Sequence, residues 1–302
     1  MRTLFAAFAC LAFFCAAPAR ADDVHDALEA YALYQNDVST LLESDIASAA
    51  DVDAALARLQ RHNTARVSRG WIAYGALTAA QSPAFAAGIE RSVRESGRTP
   101  LLNQWRDNVY SVRRDTRGSD QAIQLILNAA NADGARVEMV GARYDRYART
   151  ADSPRRSAAA PAANREPIRL SPDMRERLRV TPVSARPMSR IEDFGGRGFW
   201  DAMAGRDAPA PGERARREQA EYASVTDHML TLAALVVADA ADSERRRVSQ
   251  LLNEPLTQNC MEMQRLQLRQ CLSVSVDATE RAYCLAQHGL NGPGQCFANV
   301  AR

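Results

Sequence analysis

The thiol and imidazole side chains of this 302-residue chain, the first candidates for metal ligation or nucleophile–base chemistry, are six cysteines and four histidines. The histidines are His25, His62, His228 and His288. None makes an H-E-x-x-H pattern, and none joins the cysteines at the two-plus-two spacing of a zinc site. Cys284 and His288 are four residues apart, so on a helix they share a face and form a candidate ligand pair. His228 and Asp239 border an apolar stretch and form a candidate catalytic pair, though buried polar groups more often satisfy one another for structural reasons. No G-x-S-x-G elbow is present. The string NADG (131–134) has part of a calcium-loop pattern. Ala129 would stand at its first ligand position and Val140 at its twelfth, and neither offers an oxygen side chain. All 38 basic residues are arginine. Without a lysine amine there is no Schiff-base chemistry and no Walker A site. No residue is assigned a catalytic, cofactor-binding or metal-binding role, and the expected role is non-catalytic.

The remaining chemistry is the cysteines, and its meaning depends on the compartment. Arg2 followed by the apolar run from Leu4 to Ala17 has the form of a secretory signal peptide. Ala19 and Ala21 are the small residues at −3 and −1, which puts the expected cut before Asp22. An uncleaved anchor or a buried helix is the alternative, but 14 residues is short for a span. Phe14 before Cys15 argues against a lipoprotein signal. Cleavage would discard Cys10 and Cys15 and leave Cys260, Cys271, Cys284 and Cys296 in an oxidising compartment, where an even, clustered set reads as two disulfides. It would also remove Arg2 and Arg20 and no acid, so 36 arginines would face 36 acids. That balance gives no reason to expect a nucleic-acid partner. The alanine and arginine bias without lysine is what a GC-rich bacterial genome produces, so the destination is the periplasm or the medium. No transmembrane segment is expected in the mature chain.

The elements that position these residues read as all-α. Val24, Leu28, Tyr31, Val38 and Leu42 recur at helical spacing, as do Val52, Ala55, Leu56 and Leu59. Ser82-Pro83 opens a helix carrying Phe85, Ile89 and Val93, with Gly97 beyond its end. Ser119 is expected to cap another, with Ile123, Ile126, Leu127 and Ala130. These make an N-terminal helical bundle, residues 22–150. Eight of the 13 prolines then fall between Pro154 and Pro211. Residues 151–212 read as a Pro/Ala/Arg-rich linker with short docked pieces, among them the aromatic stretch around Phe194, Phe199 and Trp200. A second helical unit, 213–302, should begin with a long helix near Glu213 that buries LTLAALVVA (230–238) nearly all round. Further helices are expected from Ser243 and Asn253, and Asp277 with Glu280 signals the start of the last one.

Cys260 and Cys271 are three turns apart on one expected helix, roughly 16 Å along its axis. Disulfide alpha carbons must lie within about 7 Å, so these two cannot bond to each other. A turn near Ser275 would fold an antiparallel hairpin. The nested pairing, Cys260–Cys296 with Cys271–Cys284, fits that hairpin better than the crossed pairing, Cys260–Cys284 with Cys271–Cys296. The glycines of GLNGPGQC (289–296) are expected to end the helix and turn the tail back. The string RQCLSVSV…YCLAQHGLNGPGQC (269–296) resembles the end of a family of secreted alphaproteobacterial proteins with no assigned activity. That resemblance implies export and paired cysteines, and no site.

Two functional classes follow. The first is an exported, non-catalytic helical interaction or structural protein whose partner is another envelope protein. The second is a helical-bundle enzyme or carrier of a small apolar ligand, with its site in a groove between helices. A formed pocket lined by His228, Asp239 or aromatic side chains favours the second class. An exposed apolar patch favours the first.

Overall fold

A computed structural model describes residues 23–151 and 218–301. The expected signal peptide and nearly all of the expected linker lie outside these residues. The described residues are helical, with no sheet. In chain order the helices are α1 (Asp23–Glu43), α2 (Ala49–Gln60), α3 (Thr64–Ala80), α4 (Pro83–Ser96), α5 (Arg98–Asp107), α6 (Ser111–Asp115) and α7 (Ser119–Thr150). After the undescribed stretch come α8 (Ala223–Val237), α9 (Arg245–Leu252), α10 (Pro255–Val274), α11 (Ala278–Cys284) and α12 (Gly292–Ala298). A π-helical turn, Leu285–Asn291, joins α11 to α12. No described helix is long and apolar enough to cross a membrane.

Local signals account for many of the ends. Ser82 accepts a hydrogen bond from the Phe85 amide with Pro83 in the first turn, and Gly97 closes α4 at φ 78°. Asp277 accepts from the amides of Thr279 and Glu280 and so caps α11. Ser48 and Asp51 form a reciprocal capping box on α2. Other ends depart from the sequence reading. Ser119 is inside α7 rather than its cap. The cap position belongs to Gly118 at φ 86°, while the Ser119 hydroxyl donates to the carbonyls of Arg113 and Thr116. The helix carrying 230–238 starts at Ala223, after a short 3-10 turn at Ala220–Tyr222, and the expected start near Glu213 lies outside the described residues. The glycines of 289–296 do not end the helix. The chain stays helical through the π turn into α12, and Gly294 sits where α7 passes close to its backbone. A Cβ on Gly294 would come 2.9 Å from the Gly134 carbonyl oxygen, and one on Gly134 would come 2.7 Å from that of Gly294.

The two helical segments expected as separate domains bury one continuous core. Helix α3 is its centre: Trp71, Ile72, Ala73, Tyr74, Ala76 and Ala79 are all buried. It packs heavily on α1 on one side and on α8 on another. The α8 contact is close, since a Cβ on Gly75 would come 2.3 Å from the Met229 sulfur. Helix α12 lies along α7. Neither segment can cover its apolar faces alone, so the division in sequence is not a division in space. Ion pairs cross the same boundary: Arg113 to Glu218 at 2.6 Å and to Asp227, Arg106 to Glu244, and Arg281 to Asp53 at 2.8 Å.

Candidate functional site

Helix α10 is held as a wall by two disulfides. Cys260 bonds Cys296 of α12 and Cys271 bonds Cys284 of α11, with Cα–Cα separations of 5.7 and 5.6 Å. This is the nested pairing. The staples sit near the two ends of α10 and fix it against the α11–π–α12 run. On an adjacent face of α10 lie Met261, Arg265, Leu268, Arg269 and Leu272, at steps of three and four residues. That face looks into a cleft of about 440 Å³. Across from it stand Leu59 and Gln60 at the end of α2, His62 in the following turn, and Thr64 and Val67 at the start of α3. His288 and Gly289 of the π turn and Pro293 of α12 line it as well, and Tyr34 of α1 completes the lining. A π turn at a ligand-sized cleft is a recurrent arrangement at functional sites.

His62 is oriented from behind by Asp37. Its Nε2 lies 2.6 Å from Asp37 Oδ2, and the Asp37 side chain is fully buried. Arg58 Nη1 donates to the same carboxylate at 2.9 Å and Arg61 Nε at 3.0 Å. Burial alone would raise the Asp37 carboxyl, but the donors from His62, Arg61 and Arg58 outweigh it and hold it at about 2. The group is therefore an ionised acceptor, so Nε2 of His62 carries the proton that they share and Nδ1 is the nitrogen left for the cleft.

Tyr34 packs edge-on to His62, with ring centroids 5.5 Å apart. Only 4% of it is exposed, and its hydroxyl has no hydrogen-bond partner among the described residues. Burial raises this phenol, so it stays a neutral O–H donor. Behind it Tyr31, Trp71, Tyr74 and Phe297 form an aromatic cluster, with Tyr31 and Phe297 meeting edge-on at 5.5 Å. Tyr31 donates to Asp133 at 2.6 Å, Gln35 donates to Tyr31 at 2.9 Å, and Arg136 pairs with Asp133 at 2.9 Å. Burial pushes the Asp133 carboxyl up to about 6 against the opposing pull of Arg136 and Tyr31. Along the α10 side, Thr64 donates to Glu262 at 2.8 Å. Glu262 is also paired with Arg265, which with Thr64 lowers its pKa.

The candidate pairs read from sequence fare differently. Cys284 is committed to its disulfide, so it cannot join His288 as a metal ligand, while His288 does line the cleft. Burial lowers the His288 pKa. Nδ1 of His228 pairs with the Leu251 carbonyl at 3.0 Å. Asp239 lies just past the end of α8 at φ 51°, and its carbonyl accepts from Arg98. Neither His228 nor Asp239 lines the cleft. Asp133 of NADG lies inside α7 rather than in a loop. No group of three His, Cys, Asp or Glu side chains is placed to hold a metal among the described residues.

Sequence reasoning missed Tyr34, the Asp37–His62 pair and the two cleft arginines. The nearest signal was a histidine just past an amphipathic helix, and nothing local linked it to an aspartate 25 residues earlier. Comparison with known proteins finds no matching family model, no matching curated protein and no matching solved structure, so the reading of this cleft rests on its own geometry.

Proposed function

We propose that the chain is an exported helical protein that binds a small ligand with an apolar body in the cleft beneath α10. One observation carries the reading. A cavity of about 440 Å³ combines the apolar side chains of Leu59, Val67, Met261, Leu268 and Leu272 with polar side chains from seven other positions. That size and mixture are those of small-molecule sites. Export is supported by the signal-like N-terminus and by the two disulfides, which persist in oxidising compartments. The staples would keep the wall in place without a ligand, which lowers the ordering cost of binding.

The test uses the mature chain, residues 22–302, and the neutral fluorophore Nile red. Saturable one-to-one binding that is lost in Leu268→Trp supports the cleft. A signal that does not saturate, or that survives Leu268→Trp unchanged, counts against it.

A second reading, an interaction protein with an envelope partner, is favoured by a different observation. Leu256, Met263 and Leu266 of α10 are exposed, as are Val274, Val276 and Tyr283 around the hairpin turn. Capture from envelope extract by the mature chain, lost with Met263→Asp and Leu266→Asp, would support it.

A further inference from the structure

We infer that the cleft takes a single-chain amphipathic acid, with its carboxylate at the Tyr34 hydroxyl and its alkyl chain along α10 over Leu268 and Leu272. The inference rests on the ligand-binding reading above and names the class of ligand.

The first argument is the Tyr34 hydroxyl. It is a donor buried at the cleft lining with no acceptor among the described residues. A buried donor left unmade is costly, and a ligand oxygen in the cleft would relieve that cost. The second is His62. Asp37 holds Nε2 at 2.6 Å, which fixes the ring beside Tyr34 at the cleft lining. Tyr34 and His62 pack edge-on with ring centroids 5.5 Å apart, so the anchored imidazole holds the Tyr34 ring in place at the cleft lining.

The third argument is charge. Among the described residues no carboxylate side chain lines the cleft, while Arg265 and Arg269 do. The two acids nearest in the network, Asp37 and Glu262, are already engaged. Asp37 is paired with Arg58, Arg61 and His62, and Glu262 with Arg265. Four guanidiniums, Arg58, Arg61, Arg265 and Arg269, thus stand against two carboxylates. A cationic head group would meet repulsion there, and a neutral one would forgo the charge-assisted bonds that an anion makes. The apolar remainder of the lining then covers the chain.

The experiment is isothermal titration of the mature chain, residues 22–302, with four twelve-carbon probes below their micellar concentrations. The probes are dodecanoate, dodecanol, dodecyl phosphate and dodecyltrimethylammonium. Dodecanoate should bind at least tenfold more tightly than dodecanol, and the ammonium probe most weakly. Tyr34→Phe removes one hydroxyl and should weaken dodecanoate roughly 3- to 10-fold. Arg269→Ala, at an exposed position, should weaken dodecanoate and leave dodecanol unchanged. Melting curves confirm that both variants fold. Equal affinity for dodecanoate and dodecanol overturns the anionic head group and leaves the apolar cleft standing. Tighter binding of dodecyl phosphate overturns the carboxylate in favour of a phosphate head. No binding of any probe overturns the cleft reading itself.

Discussion

Nε2 of His62 lies 2.6 Å from Oδ2 of Asp37, a buried carboxylate at the back of the cleft. The pair joins α1 to the turn between α2 and α3, so one contact both ties the bundle together and aims a ring at the cleft. Arg58 and Arg61 share the carboxylate, which makes Asp37 the anchor for three basic side chains. The same residue therefore controls local stability and the orientation of a cleft side chain.

Replacing Asp37 by alanine should cost about 2 kcal/mol, since three donors lose their acceptor while two of them remain able to reach water. Asn at the same position should cost less, as it keeps one acceptor oxygen. The folded carboxyl is held at about 2, below its ordinary value of 3.8, so its contribution is complete above pH 4 and is lost as the pH falls toward 2. Chemical denaturation of the wild type and Asp37→Ala at pH 7 and pH 2.5 checks this. The gap between the two proteins should narrow at the lower pH. An unchanged gap would place the cost of the substitution in packing rather than charge.

The shared core predicts that neither helical segment folds alone. Residues 22–151 expressed without 218–302 would expose the faces of α3 and α7 that α8 and α12 cover. Each piece alone should show weak cooperativity. Co-expressed, the two should elute together and melt in one transition. Independent cooperative melting of either piece would restore the two-domain division.

Much of the helical order was legible because it is written locally. Ser82-Pro83 and Asp277 carry their caps within three residues, and the apolar repeats of α1, α2 and α8 mark faces that are buried. The three-turn spacing of Cys260 and Cys271 was likewise enough to exclude a bond between them. The cleft was not legible, since its lining comes from positions near 34, 59–67, 261–272 and 288–293, which only the fold brings together. Gly292 and Gly294 misled for a related reason. Their local preference is to end a helix, but here they permit close helix packing, and packing prevails over propensity.

Reduction of the disulfides should destabilise the whole molecule, because the stapled hairpin shares its core with α2, α3 and α7. The bonds span 36 and 13 residues. Loop closure of that size contributes about 3 to 4 kcal/mol each on the chain-entropy model. Calorimetry with and without reductant should show one transition moving to lower temperature, and Nile red binding should weaken as α10 loses its anchors. Non-reducing peptide mapping should recover Cys260 with Cys296 and Cys271 with Cys284. A second, unshifted transition from the N-terminal helices would contradict the shared core.

Asp133 supplies the last prediction, with the opposite sign to Asp37. It is fully buried between Tyr31 and Arg136, and its folded pKa is raised from 3.8 to about 6 because burial penalises the charge more than its two partners favour it. A carboxyl raised on folding makes the folded state take up a proton before the unfolded chain does. Stability should therefore increase as the pH falls from 7 through 6 and level off near 4. The gain is roughly 3 kcal/mol for a difference of about two pH units. Asp133→Asn keeps an oxygen for Tyr31 and removes the titration, so its stability should be nearly flat from pH 7 to pH 4. Urea midpoints at half-unit pH steps for both proteins separate the outcomes. A parallel decline of both with acid would show that Arg136 and Tyr31 hold the carboxylate charged, and that the buried group is an ion pair throughout this range.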